Sequence, residues 1–237
     1  MNATIYALFY GDHHDLHTRL LLSLANFCPK GGQIRFRFWC NQVCRQTQHL
    51  FKRKYPGEVV VVERDENVPK YKAMREMFKA DADDPSDWVV WFDDDSYINK
   101  KDWWVKTVSK IQSDPDICYV GQPWYVHHLP GQWKFIQEAE WFTGRESELC
   151  ATRSPTIKKP GITFAQGAYW WLRSDVLEQL DWPDPRLSHN GGDTLLGEAV
   201  RQQSLPFTKF HYGVAINKAK RRGQHEKPAG SKVDTRR

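Results

Sequence analysis

The first ninety-odd residues switch repeatedly between two hydrophobic periods. TIYALFY over residues 4–10 is a nearly unbroken apolar run that stops at Gly11-Asp12. Such a run, rich in β-branched and aromatic residues, reads as a strand covered on both faces. Leu16, Leu20 and Leu24, with Leu21 beside them, then recur at helical spacing and predict a helix to about Phe27. IRFRFWC at 34–40 predicts a second strand, Gln42 to Lys54 a helix with Val43 and Leu50 inward, and Val59 to Val62 a third strand. YKAMREMF at 71–78 predicts a short helix associated with Lys70, Lys72 and Arg75. The aspartates between Asp81 and Asp87 fall among Pro85 and Ser86 and read as a solvated loop; Trp88 to Phe92 is the next strand. Strands alternating with helices across short connections predict an α/β fold, a single domain with a Rossmann-like, mostly parallel central sheet flanked by helices.

The second half is less regular. Trp104, Val108 and Ile111 make one face of a helix, and Cys118 to Val120 begins a strand. The aromatic-rich stretch from 122 to 160, with a helix expected from Phe135 to Phe142, suits either acceptor binding or an ordinary insertion with its own apolar cluster. Ile162 to Leu172 is strand-like but interrupted at Gly167-Ala168, and glycine inside a strand often marks a place where backbone approaches a ligand closely. Asp175 and Glu178 form a capping pair for a helix from Val176 to Leu180. Gly191-Gly192-Asp193 leads into a helix from Thr194 to Gln203, and Phe207 to Ile216 reads as one last strand containing His211. A basic tail follows from Lys218. The domain is expected to occupy residues 1–220, with a tail at 221–237.

The chemistry concentrates at Asp93-Asp94-Asp95, which follows the apolar strand without a break. In an extended chain Asp93 and Asp95 point one way and Asp94 the other. Carboxylates at the end of a buried strand repel one another and lose hydration, so they demand a counter-charge. A divalent metal is the commonest remedy, and a solvated acidic turn is the plain alternative. Tyr10-Gly11-Asp12 also ends a strand, and ligands of such sheets bind beyond the carboxyl ends.

Composition changes this picture in a few places. At 237 residues, with 40% hydrophobic and 27% charged content, the chain suits one soluble domain with a real core. Eleven tryptophans are unusual; aromatics in such number often line sugar or base clefts, though most of any set simply pack. The net charge of +5, much of it in the last twenty residues, favours anionic partners. Cys28, Cys40, Cys44, Cys118 and Cys150 lack zinc-ligand spacing and read as reduced, mostly buried thiols of a reducing compartment. No apolar run approaches about 18 residues, so no membrane helix or membrane partner is expected. The location expected is cytoplasmic, for a whole protein or for a catalytic domain cut from something longer.

In order and spacing, four elements resemble the GT-A fold glycosyltransferases, especially the Fringe-like β-1,3-glycosyltransferase group. Trp91-Phe92-Asp93-Asp94-Asp95-Ser96-Tyr97 is similar to the group's DDD form of the DxD motif. Phe164-Ala165-Gln166-Gly167-Ala168 is similar to its glycine-rich segment beside the donor sugar. Gly192-Asp193-Thr194-Leu195-Leu196-Gly197 resembles the element that supplies a catalytic aspartate, although Gly192 stands where the group has an acid. His211 falls where many of these enzymes place a further metal ligand.

The resemblance implies a nucleotide-sugar transferase, UDP-sugar favoured, using Mn²⁺ or Mg²⁺, with an imidazole ligand tilting the choice to Mn²⁺. Asp95 becomes the principal metal ligand, Asp93 a ribose or water-mediated metal contact and His211 the third metal position. Asp193 becomes the base of an inverting transfer, and it is equally placed to be a helix N-cap. The resemblance also implies a donor-binding part over about 1–100 and an acceptor-binding part over about 101–220, with the donor side assigned to Tyr10, Gly11, Asp12, Lys70, Arg75, Asp94, Gly167, Ala168 and Lys218, and the acceptor side to Trp170 and Gly192. For the acceptor, the basic chain leans toward a hydroxymethylated pyrimidine in DNA, flipped out to react. A glycan, lipid or protein hydroxyl is the alternative. A metal-dependent nuclease and a non-catalytic sugar- or nucleotide-binding module are more distant readings.

Overall fold

Strand β1 (Ala3–Tyr10) lies near the middle of a seven-stranded sheet, with β2 (Ile34–Asn41) on one side and β4 (Trp88–Asp93) on the other. The computed structural model describes residues 1–30, 34–126, 136–144, 162–188 and 191–216. β3 (Glu58–Arg64) continues outward from β2, and these four strands are parallel throughout. The other half reverses direction. β7 (Ile162–Arg173) runs antiparallel to both β4 and β6 (Tyr119–Val126), and β8 (Phe207–Lys209) closes the edge parallel to β6. The sheet is therefore mostly parallel in its first half, as the alternation of periods predicts, and takes its antiparallel pairings from the irregular half.

Helices cover both faces. α1 (His14–Phe27), α2 (Arg45–Phe51) and α4 (Trp103–Gln112) border one apolar core that includes Phe9, Phe38, Phe92 and Trp171. α3 (Lys70–Ala80), α5 (Ser174–Gln179) and α6 (Gly192–Gln202) border the other, built on Met74, Trp91, Trp170 and Leu196. The chain walks from β1 outward to β3 and then crosses back to β4. That reversal leaves a crevice beyond the carboxyl ends of β1 and β4, the topological switch point where α/β sheets bind ligands.

Several expectations need correction. The loop after α3 is not simply solvated: Asp81 is buried, accepting a 2.7 Å hydrogen bond from the Tyr6 hydroxyl and pairing with Arg37. Asp175 lies in the first turn of α5, held by Arg173, so it does not cap the helix with Glu178. The last strand is two strands. β8 belongs to the main sheet, whereas β9 (Val214–Ile216) pairs antiparallel with the short β5 (Ser96–Ile98). The chain turns between them at Gly213, where φ is +71° and a Cβ would lie 2.5 Å from that of Trp103. The aromatic stretch at 122–160 lies largely outside the described residues. Within 136–144 the chain makes tight turns that bury Ile136, Ala139 and Trp141. His13 caps α1 and His14 is its first residue. Cys28, Cys40 and Cys118 are buried free thiols, and burial pushes that of Cys118 up to about 11.

Candidate active site

β4 ends on Asp93, and the next residues turn sharply into β5, with the Ser96 hydroxyl donating to the Asp93 carbonyl at 2.6 Å. As strand alternation demands, the first two aspartates point to opposite faces. Asp94, 1% exposed, turns toward α1: its Oδ2 accepts from the Tyr10 backbone N–H at 3.3 Å and lies 3.4 Å from His17 Nε2. His17 is itself fixed by Thr47, 3.1 Å away. Asp93 turns toward α3. Its Oδ1 accepts from the Trp91 indole at 2.8 Å, and both of its oxygens lie 2.8 Å from the Lys70 ammonium.

Lys70 opens α3 and is 8% exposed. It also donates to the Gly167 carbonyl at 3.2 Å and lies over the Trp91 ring. Burial alone would lower its pKa. The charges of Asp93, Asp193 and Asp95 outweigh that cost and hold the ammonium above its ordinary value. One cation thus ties together the acidic turn, the middle of β7 and the start of α6.

Asp193 is the second residue of α6, in a first turn whose cap is Gly191, so it is not the N-cap. Its Oδ1 accepts from the Tyr71 hydroxyl at 2.7 Å, and its backbone N–H donates to that same hydroxyl at 3.1 Å. Burial and the Asp193 charge push the Tyr71 phenol well above its ordinary range, so it remains a donor. Two glycines make the arrangement possible. A Cβ on Gly167 would lie 2.5 Å from Asp193 Oδ2, and one on Gly192 would lie 2.2 Å from the Tyr71 ring. The strand interruption at Gly167 is therefore a close approach, made here by a carboxylate.

The structure thus gathers Asp93, Lys70, Gly167 and Asp193 on the α3 side of the crevice, with Asp95 near enough to act on Lys70. Tyr10 and Gly11 lie beside the turn, Gly11 with φ +65° and its N–H donating to the Asn41 carbonyl; Asp12 follows, exposed. Ala168 is buried next to Gly167. Lys218 lies outside the described residues. Asp94, assigned to the donor, is the carboxylate sealed against α1, and four more assigned residues make other contacts in this structure. Arg75 clamps the Asp181 carboxylate and the Pro183 carbonyl, so its guanidinium is engaged there and not with a diphosphate. Trp170 is 2% exposed and stacked on Trp91 with centroids 6.1 Å apart, a core pair that offers no face to an acceptor. Gly192 is buried beneath Tyr71.

His211 is the fourth. Its Nε2 donates to the Val214 carbonyl and its ring meets Tyr169 edge-on. The pairing of Ser96 with Ile216 and of Ile98 with Val214 places His211 beyond the end of the ribbon away from Asp95. Among the described residues no three Cys, His, Asp or Glu side chains gather as a metal cage.

Residues 41–181 match the family described as glycosyl transferase family 2, well over half of the chain, and the chain belongs to that family. No curated protein sequence is matched. Among solved structures, the mannosyltransferase PcManGT from Pyrobaculum calidifontis, in complex with GDP-Man and Mn²⁺, superposes with a TM-score of 0.58 at 14% identity, covering 87% of this chain and 53% of that one. TarS of S. aureus in complex with UDP-GlcNAc superposes with a TM-score of 0.53 at 16% identity, covering 84% and 53%. Mouse xyloside xylosyltransferase 1 gives 0.51 at 9% identity, covering 89% and 85%. These likenesses concern the fold, which is of the GT-A kind. The family matched is a coarser assignment than the Fringe-like group that the motifs resemble. The chain spans about half the length of the first two neighbours.

Proposed function

We propose that the chain is a nucleotide-sugar-dependent glycosyltransferase whose donor lies across the crevice at the ends of β1 and β4. One observation carries this reading. Asp193, separated from the acidic turn by a hundred residues of sequence, stands beside it around Lys70, with the Gly167 backbone pressed against its carboxylate. Family membership and neighbours named with GDP-Man and UDP-GlcNAc support the same donor class.

Asp193 takes the proton of the acceptor hydroxyl as the glycosidic bond forms. Tyr71 holds the carboxylate in place through Oδ1, and the lack of a side chain at Gly167 leaves room for Oδ2. Lys70 orients Asp93 for a hydroxyl of the donor ribose. Asp94 anchors the turn and leaves the donor contacts to its neighbours.

A divalent ion fits this site in a limited sense. We assign the ion to Asp95, the third carboxylate of the turn, on the motif alone; Asp93 is held by Lys70 and Trp91, Asp94 by His17 and Tyr10, and His211 by the Val214 carbonyl. Mg²⁺ and Mn²⁺ at phosphate sites need only one or two carboxylates besides the substrate oxygens. Such an ion would neutralise charge building on the departing diphosphate. Without His211 the particular case for Mn²⁺ over Mg²⁺ rests on the Mn²⁺ named with the archaeal mannosyltransferase alone.

The acceptor we favour is a sugar hydroxyl, in line with the xyloside named for the mouse neighbour. The reading as a hydroxymethylated pyrimidine of DNA rests on the net charge of +5, whose excess lies largely in the C-terminal tail. The deciding experiment incubates the protein with a panel of UDP- and GDP-sugars, with Mn²⁺, Mg²⁺ or chelator, and measures released nucleoside diphosphate. One donor is hydrolysed slowly in the presence of metal, and Asp95→Ala abolishes the metal-dependent part of its binding. Unchanged donor affinity in that variant refutes the metal assignment. Mass gain on hydroxymethylcytosine DNA, or on a saccharide, separates the two acceptors.

A further inference from the structure

The two edges of the sheet differ. β8 is three residues long and ends on Lys209. β3 presents seven, Glu58 to Arg64, without proline, lysine or bulge to blunt them, and no strand lies beyond it among the described residues. An open valine-rich edge of this length is a template for a further strand. Val60 is 40% exposed, one of the few large apolar side chains left in solvent.

The ladder to β2 fixes which backbone groups this edge offers. The Gln42 N–H donates to the Arg64 carbonyl at 3.0 Å, so Arg64 turns its peptide groups toward β2. Every second residue of a parallel ladder does the same, hence Val62, Val60 and Glu58. Val59, Val61 and Glu63 therefore aim their N–H and C=O groups outward. In an antiparallel pairing these residues must meet outward-facing residues of the incoming strand, which restricts the register to a few choices.

One choice is self-complementary. Centred on Val61, a second β3 running the other way pairs all seven residues. Val61 meets its own counterpart, Val59 meets Glu63, Val60 meets Val62 and Glu58 meets Arg64. Sliding the strand loses both Glu58–Arg64 pairs. Residues directly opposite share a face, so the valine pairs lie between two ion pairs on the side toward α3. Val60 and Val62 also line a groove beside α3, with Met77 and Ala80 in its wall, so the apolar contact continues past the edge itself. Glu58 and Arg64 have side chains 60% and 43% exposed, in surface pairs with Arg37 and Glu76. Exposed pairs of this kind contribute little and can be shared with a newcomer.

We propose that this edge is the contact between two copies of the chain, related by a twofold axis at Val61, which joins their seven-stranded sheets into one. A foreign strand would have to carry the same charges in reverse order; a second copy does so by symmetry. Such a contact closes at two. It makes no use of the donor crevice, so either reading can fail alone.

Sedimentation velocity over a series of protein concentrations, about 1 to 200 µM, tests this, because seven residues a side bury less than a standard interface and should associate in the micromolar range. A monomer–dimer equilibrium is expected. Val61→Pro removes an outward N–H, which edge strands tolerate, and should abolish the dimer while thermal melting is nearly unchanged. Glu58→Arg and Arg64→Glu each set like charges face to face at both ends and should weaken self-association about tenfold. Mixed in equal amounts, these two variants place opposite charges at both ends again and should form a mixed dimer. A chain that stays monomeric throughout the series overturns the proposal, as does a species larger than a dimer. A dimer that persists in both charge variants lies on another surface and overturns it equally. If Val61→Pro fails to fold, the mixture decides: charge variants that remain monomeric together as well as apart refute the pairing.

Discussion

Asp93 and Asp94 are adjacent in the chain and lead opposite lives. Asp94 is sealed between β1 and α1, held by a backbone amide and a buried imidazole. Asp93, a quarter exposed at its side chain, shares its charge with a lysine that also answers to two other carboxylates. An acidic run therefore need not act as one unit. Here one member fastens the turn to the scaffold, and its neighbours present charge to the crevice.

Four experiments break or sharpen this contrast. The largest effect is expected from Asp193→Asn, which should lower turnover about 10³-fold, within the range for loss of a general base, while donor affinity measured by calorimetry stays the same. Lys70→Met comes next. Removing one partner of a buried pair costs about 3–5 kcal/mol, so chemical denaturation should show a loss of that order, together with weaker donor binding. Because Lys70 is held above its ordinary 10.5, its stabilisation is complete below that pH and fades as pH rises through the raised value; the variant should show a shallower alkaline decline. Asp94→Asn should cost about 1–3 kcal/mol by the same measurement, with catalysis per folded molecule nearly intact. Equal losses of turnover from Asp94→Asn and Asp193→Asn would erase the distinction between the two faces. Tyr71→Phe is the smallest, about 1 kcal/mol or a fivefold drop in kcat with KM for the donor unchanged.

How much of this was legible beforehand follows from distance along the chain. The parallel half could be read because each strand announces itself by local period, and β1 and β4 run into Gly-Asp and an aspartate run. Asp93, Gly167 and Asp193 were legible as motif residues, and Lys70 as a cation near the start of a helix. Tyr71 and His17 were not, because their roles are defined by partners on other elements, and nothing in YKAMREMF or HDLHTRL hints at them. Trp170 and His211 were misassigned for the converse reason. A tryptophan and a histidine near a motif carry the same letters whether they face a ligand or a neighbouring strand. The break at Gly213 was missed because apolar residues continue on both sides of it.

The hydrogen bond from Tyr71 to Asp193 joins residues 122 positions apart, and that from Lys70 to Gly167 spans 97. Closing loops of that length delays folding more than it weakens the folded state. A chain emerging from the ribosome would carry no working fraction of its centre until α6 had been made, so partial products of synthesis should be inert toward nucleotide sugars.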